Sequence, residues 1–341
     1  MGSLTAAPSE AAPRQPGPLK LVFCGTPSFA VPTLNSLIRA GHKIELVVTQ
    51  PDRPQGRSAA LTAPPVKQAA QAAGLPITQP EKIKTNSDFR AHLESINPDA
   101  IIVVAYGRII PKWMIDLPRY GNLNLHASLL PKYRGAAPIQ WAIANGETTL
   151  GATTMRIDEG LDTGDILLQR ELPIAPDQTA EDIFPLLAES GAGLMIETLD
   201  ALQSGSVHPQ KQDETRATLA PILTREDGLI DFNRTAAEIY NRWRGFQPWP
   251  GAYTTLDGKK LTLHHMHPID AQPSATTHQT PGELRTHAGQ LYAACGAGTT
   301  LQILELQLEG KKRMLTADFL RGHPLPPGAR LGADSGTSRT T

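Results

Sequence analysis

Residues 99–105 read Asp-Ala-Ile-Ile-Val-Val-Ala, an unbroken apolar run behind a single acidic residue. A strand without a polar face is one covered on both sides, the environment of a central strand in a parallel sheet. The same rhythm continues in both directions. Towards the N-terminus, Lys20–Gly25 (KLVFCG) is a short apolar run ended by glycine, and Phe29–Arg39 shows helical spacing through Val31, Leu34, Leu37 and Ile38. Ile44–Thr49 reads as a strand, broken by Pro51-Asp52-Arg53-Pro54, and Ala63–Ala73 as a helix. Towards the C-terminus come a strand at Asn122–His126, a helix at Ala136–Asn145, strands at Thr149–Ile157 and Ile166–Glu171, and a long amphipathic helix over Thr179–Leu202. Alternation of this kind predicts an α/β domain, a mostly parallel sheet with helices on both faces.

The pattern changes after residue 204. Gly205–Thr218 is polar and lacks periodicity, which suits a linker. One helix is predicted at Ala236–Arg244. Short strand-like runs then follow at Ala252–Leu256, Lys260–His267, Gly282–Arg285, Leu291–Ala294 and Thr300–Leu308, most of them separated by Gly or Pro. That spacing predicts a small antiparallel β-barrel of the OB-like type. The expected organisation is a disordered tail at 1–18, a first domain at 19–204, a linker at 205–218, a barrel domain at 219–323 and a disordered tail at 324–341. Both tails are rich in small, Pro and Gly residues.

A chain of 341 residues is long enough for two domains. Lys and Arg number 32 against 33 Asp and Glu, so nucleic acid could be gripped only by local patches, not by the charge of the whole chain. Two cysteines, Cys24 and Cys295, exclude a disulfide scaffold and a thiolate metal cluster. No run approaches the ~18 apolar residues of a membrane span, and a reducing, cytoplasmic setting is expected.

The segment richest in chemistry is Gly121–Gln140, GNLNLHASLLPKYRGAAPIQ. Side chains alternate along a strand, so Asn124 and His126 project from one face while Leu123 and Leu125 project from the other. An amide beside an imidazole can stabilise a developing oxyanion, and strand ends at the C-terminal edge of an open parallel sheet are where such sheets place ligands. Two polar residues capping a strand would look the same. Thirty-six residues beyond His126, in Asp158-Glu159-Gly160-Leu161-Asp162-Thr163-Gly164-Asp165, a Gly-bracketed acidic loop could bring a carboxylate back over a neighbouring strand end. Such a carboxylate would orient an imidazole and favour its cation; an ordinary acidic turn is the plainer reading. Asp-Thr-Gly also marks aspartic proteases. Those need two carboxylates sharing a proton, and the chain offers one such triplet in an α/β pattern.

Other candidates are weaker. His264, His265 and His267 form a cluster, and His265 and His267 share a strand face as zinc ligands could. No Cys or acidic partner sits nearby in sequence, so no metal is expected. Trp249, in Pro248-Trp249-Pro250-Gly251, reads as a buried turn anchor. Gly25-Thr26-Pro27 follows the first strand without Gly-x-Gly-x-x-Gly, which argues against a nicotinamide dinucleotide site.

Over roughly Leu19–Gly322 the sequence resembles the folate-dependent formyltransferases and, within them, the methionyl-tRNA formyltransferases. The pieces that carry the resemblance are Val22–Leu34, Thr49–Arg57, Val103–Pro111, Asn124–Gln140 and Ile157–Leu167, followed by Glu226–Ile239, Gly245–Thr254 and Glu309–Gly322. The resemblance implies a Rossmann-like formyltransferase domain followed by the barrel, and transfer of a formyl group from 10-formyltetrahydrofolate to the α-amine of initiator methionyl-tRNA. It implies Asn124, His126 and Asp162 as the catalytic trio. Folate contacts are implied at Ser128, Leu129, Leu130 and Pro131, at Arg108, Ile109 and Ile110, and at Glu159, Gly160 and Leu161; plain core packing is the competing reading for Leu129, Leu130 and Ile110. For tRNA it implies Arg57 in the loop Pro51–Leu61, and Lys311, Lys312 and Arg313 in the barrel. Arg57 is followed by Ser58-Ala59-Ala60 where relatives usually carry further lysines. A cytoplasmic monomer without metal or membrane contact is expected. The rival acceptor is a small amine such as a nucleotide sugar.

Overall fold

The apolar run at 99–105 becomes the middle of a seven-stranded sheet in the computed structural model, which describes residues 17–55, 60–269 and 280–332. In chain order the first strands and helices are β1 (Lys20–Gly25), α1 (Val31–Arg39), β2 (Lys43–Val48), β3 (Arg53–Gln55), β4 (Ala60–Thr62), α2 (Pro65–Ala72), β5 (Ile77–Thr78), α3 (Ser87–Ile96) and β6 (Ala100–Val104). There follow α4 (Lys112–Ile115), β7 (Asn122–His126), α5 (Pro138–Ala144), β8 (Thr149–Arg156), β9 (Ile166–Pro173) and α6 (Ala180–Ser204). The remainder is α7 (Ala236–Gly245), β10 (Tyr253–Leu256), β11 (Lys259–Ile269), β12 (Leu284–His287), β13 (Gln290–Ala294), β14 (Thr300–Leu308), β15 (Met314–Leu315) and α8 (Thr316–Gly322). Two compact units result. One comprises the described residues up to 134 with 151–172 and 185–218; the other comprises 135–150, 173–184 and the described residues from 219 onward.

The sheet of the first unit has the order β5-β2-β1-β6-β7-β8-β9. Strands β5, β2, β1, β6 and β7 are parallel, as the βαβ rhythm predicts, and β8 runs antiparallel to β7. Every residue of β6 is buried, which accounts for a sequence with no polar face. Because β1, β6 and β7 point the same way, the chain leaves Gly25, Val104 and His126 at one sheet edge. Helix α3 escapes the apolar-spacing argument because only Phe89 and Leu93 are buried; its start is set by Asn86, whose Oδ1 accepts from the Phe89 amide at 2.9 Å.

Gly205–Thr218, linker-like in composition, is tied to the first unit. Gln210 and Ile166 exchange both backbone hydrogen bonds at 2.8 Å, and the Thr218 amide donates to the Pro131 carbonyl at 3.3 Å.

In the second unit β10, β11, β14, β13 and β12 form an antiparallel sheet, with β15 on β14. Its core gathers Leu261, Leu263 and Met266 from β11, Leu301, Ile303 and Leu306 from β14, and Phe319 from α8. Helix α7 carries a capping box: Thr235 Oγ1 accepts from the Glu238 amide, and the Glu238 carboxylate accepts from the Thr235 amide. It ends in Gly245, where a β-carbon would lie 2.5 Å from the Gln140 carbonyl oxygen of α5, so this close helix contact requires glycine.

Two expectations change here. The tail predicted from residue 324 is ordered as far as Gly332: Leu331 is buried in the barrel core, its amide donates to the Gly282 carbonyl, and the Gly332 amide donates to Thr255. Prolines and glycines masked the anchoring role of Leu325, Ala329 and Leu331. Trp249 is 56% exposed rather than buried; the buried ring of this stretch is Phe246, 1% exposed and set edge-on to Trp141. The 1–16 and 333–341 parts of the predicted tails lie outside the described residues.

Candidate active site

Strand β7 places Asn124 opposite Val103 of β6 and Met155 of β8, and His126 opposite Thr153. Asn124 is partly exposed, whereas the His126 side chain is 6% exposed. The ring is oriented from both ends. His126 Nε2 lies 2.9 Å from the Tyr133 carbonyl oxygen; a carbonyl can only accept, so Nε2 carries the proton. Nδ1 therefore faces the Asp162 carboxylate, 3.7 Å away.

The turn that follows the strand is held by buried polar groups. Ser128, fully buried, donates through Oγ to the Lys132 carbonyl at 2.6 Å. Thr153 Oγ1 donates to the Ser128 carbonyl at 2.6 Å and accepts from the Leu130 amide, while Gln169 Nε2 reaches both the Leu130 carbonyl and Thr153 Oγ1 at 2.9 Å. The turn includes Tyr133 at φ +61°, pinned through its amide to Thr218 Oγ1 at 2.8 Å. That pose is what presents the Tyr133 carbonyl to His126.

Asp162 arrives by a less direct route. Strand β8 is antiparallel and leaves Arg156 beside Leu123, three residues or about 10 Å short of His126 along the sheet. The 158–165 loop must double back. Gly164 makes this possible, since a β-carbon there would meet the Arg156 carbonyl at 1.8 Å; Asp158 Oδ1 ties the loop internally by accepting from the Gly160 amide and Thr163 Oγ1. Asp162 sits at φ +53°, in the left-handed region that Asp tolerates better than most side chains. Gln212 Nε2 donates to the carbonyls of Asp162 and Gly164, both at 2.8 Å, and Gln212 Oε1 accepts from Nε and Nη2 of the buried Arg134. The Glu214 carboxylate takes the rest of that guanidinium and raises its pKa, while Arg134 in turn lowers that of Glu214. Neither Arg134 nor Gln212 emerges from sequence reading: one is followed by small residues, the other sits in a stretch with linker composition.

An amide, an imidazole of defined tautomer and a carboxylate thus occupy one end of β7, a set suited to stabilising a tetrahedral oxyanion and moving a proton. Residues 19–199 match the formyl transferase family, and residues 222–324 match the formyl transferase C-terminal domain. The methionyl-tRNA formyltransferase of Acidobacterium capsulatum is 71% identical over 315 residues, which cover 92% of this chain and 100% of that protein. The corresponding enzyme of Koribacter versatilis is 59% identical over 312 residues, 92% of this chain and 98% of that one.

The chain belongs to the methionyl-tRNA formyltransferases.

It is an enzyme that transfers a formyl group to methionyl-tRNA, and a small-amine acceptor is not favoured. Among solved structures the fold resembles a sugar 3N-formyl transferase crystallised in the presence of dTDP and 5-N-formyl-THF, with 18% identity, a TM-score of 0.62, and coverage of 87% of this chain and 100% of that one. In this formyltransferase the remaining positions singled out by sequence fall into two groups. Leu130 packs with Met155 and Ile166, and Ile110 lies in the core formed around β6, so their side chains face inward. Leu129 is partly buried, packed where a β-carbon on Gly151 would intrude to within 2.4 Å. Ile109 and Leu161, by contrast, are 90% and 62% exposed, and Pro131 is buried. Arg108 is partly buried, with an Nε that finds no acceptor among the described residues. Glu159 and Gly160 are exposed, and Glu159 pairs at 3.3 Å with Lys112, the first residue of α4.

Arg57 lies outside the described residues. The hairpin β3–β4 flanks it, and Asp52 at its base takes both carboxylate oxygens to Lys67 Nζ, at 2.7 and 2.8 Å, and one to Gln79. In the barrel, Lys311 and Lys312 are exposed, and Arg313 is ion-paired with Glu305. His265 stacks on Trp243 and His267 meets Tyr240 edge-on, so the shared strand face seen in the sequence serves ring packing against α7.

Proposed function

We propose that the formyl donor is 10-formyltetrahydrofolate, that the acceptor is the α-amine of initiator methionyl-tRNA, and that Asn124, His126 and Asp162 carry the chemistry. The observation that carries this reading is the His126–Asp162 pair, 3.7 Å apart, at the end of the strand that also bears Asn124. The folate supplies the formyl group. The segment 108–110, the turn 128–131 and the loop 159–161 would hold it through backbone edges, the exposed apolar side chains of Ile109 and Leu161, and the Nε of Arg108, which has no acceptor among the described residues. Structural neighbours with folinic acid or tetrahydrofolate in their crystals support that choice of donor.

The amine nitrogen adds to the formyl carbon, and the carbonyl oxygen gains charge. Asn124 donates its side-chain N–H to that oxygen, and the His126 ring, held at Nε2 by the Tyr133 carbonyl and facing Asp162 at Nδ1, stabilises the same charge as its cation without giving up a proton. Asp162 balances the charge on the ring and passes the amine's proton towards the departing folate nitrogen as the carbon–nitrogen bond to the donor breaks. The product, formylmethionyl-tRNA, is suited to translation initiation. Arg57 and the barrel's Lys311, Lys312 and Arg313 would contact tRNA. Arg313 then exchanges its Glu305 partner for phosphate. A cytoplasmic monomer, with residues 19–204 as the catalytic domain and 219–323 as the tRNA-holding domain, completes the reading.

The test is incubation with 10-formyltetrahydrofolate and either methionyl-tRNA or a small amine. Formylation of methionyl-tRNA, reduced by about 10²–10³ in Asn124→Ala, is expected. Near-normal turnover in both Asn124→Ala and His126→Ala would sink the trio.

A further inference from the structure

We infer that Gln212 is a positioning residue for Asp162, and that Arg134 acts through it; the inference rests on the catalytic role proposed for Asp162. Gln212 is saturated at both ends of its amide. Its Oε1 accepts two N–H groups of Arg134, at 3.0 and 2.8 Å, and its Nε2 gives both hydrogens to the carbonyls of Asp162 and Gly164. Arg can only donate and a carbonyl can only accept, so the orientation of the amide is dictated by its partners, and no other side chain of this length satisfies both sides.

The need for such a clamp follows from topology. The 158–165 loop leaves β8 at the far end from His126, turns back over about 10 Å, and ends with Asp162 in a left-handed conformation. A non-glycine residue holds that conformation only when its surroundings over-determine it. The two hydrogen bonds from Gln212 bracket Asp162 on its own carbonyl and on that of Gly164. Arg134 closes the circuit. It ends the 127–134 turn whose Tyr133 carbonyl orients the other side of the His126 ring, and it is itself fixed by Glu214, two residues beyond Gln212. One buried guanidinium and one amide therefore link the segment that sets the imidazole to the loop that delivers the carboxylate. The aim of Asp162 depends on residues 212–214, a stretch 50 residues beyond it in the chain.

The test uses the full-length enzyme with methionyl-tRNA and 10-formyltetrahydrofolate, and the variants Gln212→Glu and Gln212→Met. Glu keeps the Arg134 contact but turns a carboxylate towards two carbonyls; Met keeps the volume and loses both sets of bonds. Each should lower kcat by about 10–100-fold, as a misplaced catalytic group does. The KM for methionyl-tRNA should stay within about 3-fold, and thermal melting should confirm a folded protein. The same substitutions are then made in an Asp162→Asn background, where they should cost less than about 3-fold, because residues acting as one unit are not additive. An unchanged kcat in the single variants, or the same fold-loss in the Asp162→Asn background as in the parent, overturns the inference while leaving the trio intact. A near-normal rate in Asp162→Asn overturns the catalytic reading, and this inference with it.

Discussion

Between Ala127 and Arg134 the chain is shaped by hydrogen bonds: Ser128 to Lys132, Thr153 to Ser128, Gln169 to Leu130, Tyr133 to Thr218, Arg134 to Gln212. The barrel of the second unit is shaped by apolar contact, with Leu261, Leu263, Leu301, Ile303, Leu306 and Phe319 each at most 1% exposed. The two regions solve different problems. A barrel core has only to exclude water, and any well-packed set of side chains of the right volume does that. A turn that presents a carbonyl to one nitrogen of a ring has to be right in direction, and only hydrogen bonds with defined donors and acceptors impose direction.

Substitutions should separate the two. The largest effect on rate is expected at the site: His126→Ala should lower kcat per folded molecule by about 10³ or more, far beyond the about 1–3 kcal/mol of stability lost by stranding the buried Tyr133 carbonyl, measured by formylation of methionyl-tRNA and by calorimetry. In the barrel the expectation reverses. Leu301→Ala, fully buried in β14, should cost about 2–5 kcal/mol of stability by denaturant titration, with the rate per folded molecule unchanged. A rate loss larger than the folded fraction explains would mean that the barrel core tunes the chemistry after all.

Thr153→Val probes the boundary between the two modes. It conserves volume in a fully buried site but strands the Ser128 carbonyl and the Leu130 amide, so about 1–3 kcal/mol of stability should be lost together with activity. Activity lost without stability would show that the network serves direction alone. The smallest effect is expected at the capping box of α7, where Thr235→Ala should cost about 1 kcal/mol near neutral pH. The bonds from the Thr235 amide and hydroxyl hold the Glu238 carboxyl below its ordinary range. A lowered folded-state pKa stabilises above the unfolded value and is lost as pH falls through the folded one. The gap between parent and variant should therefore shrink on acidification. A gap independent of pH would remove Glu238 from the cap.

The chemistry of the candidate site was legible where residues lie close in sequence. Alternation along β7 put Asn124 and His126 on one face, and the Gly-bracketed acidic stretch marked a loop able to return. The circuit through Arg134 and Gln212 was not legible, because its partners stand 78 residues apart and the polar, aperiodic composition of 205–218 is equally that of a free linker and of a docked strap. The short tie from Leu325 to Gly332 was hidden for the same reason: a few anchoring apolar residues among prolines and glycines carry no period.

What the amino-acid order alone determined was the set of elements and their layering. Burial leaves a periodic trace in hydrophobicity, continuous in β6, alternating in β14 and helical in α1. What only the tertiary structure decided was which nitrogen of His126 is protonated, where the Asp162 loop folds back, and which amide holds it there. Those are matters of distance and direction between groups remote in the chain, and hydrogen bonds at long sequence separation leave no period to read.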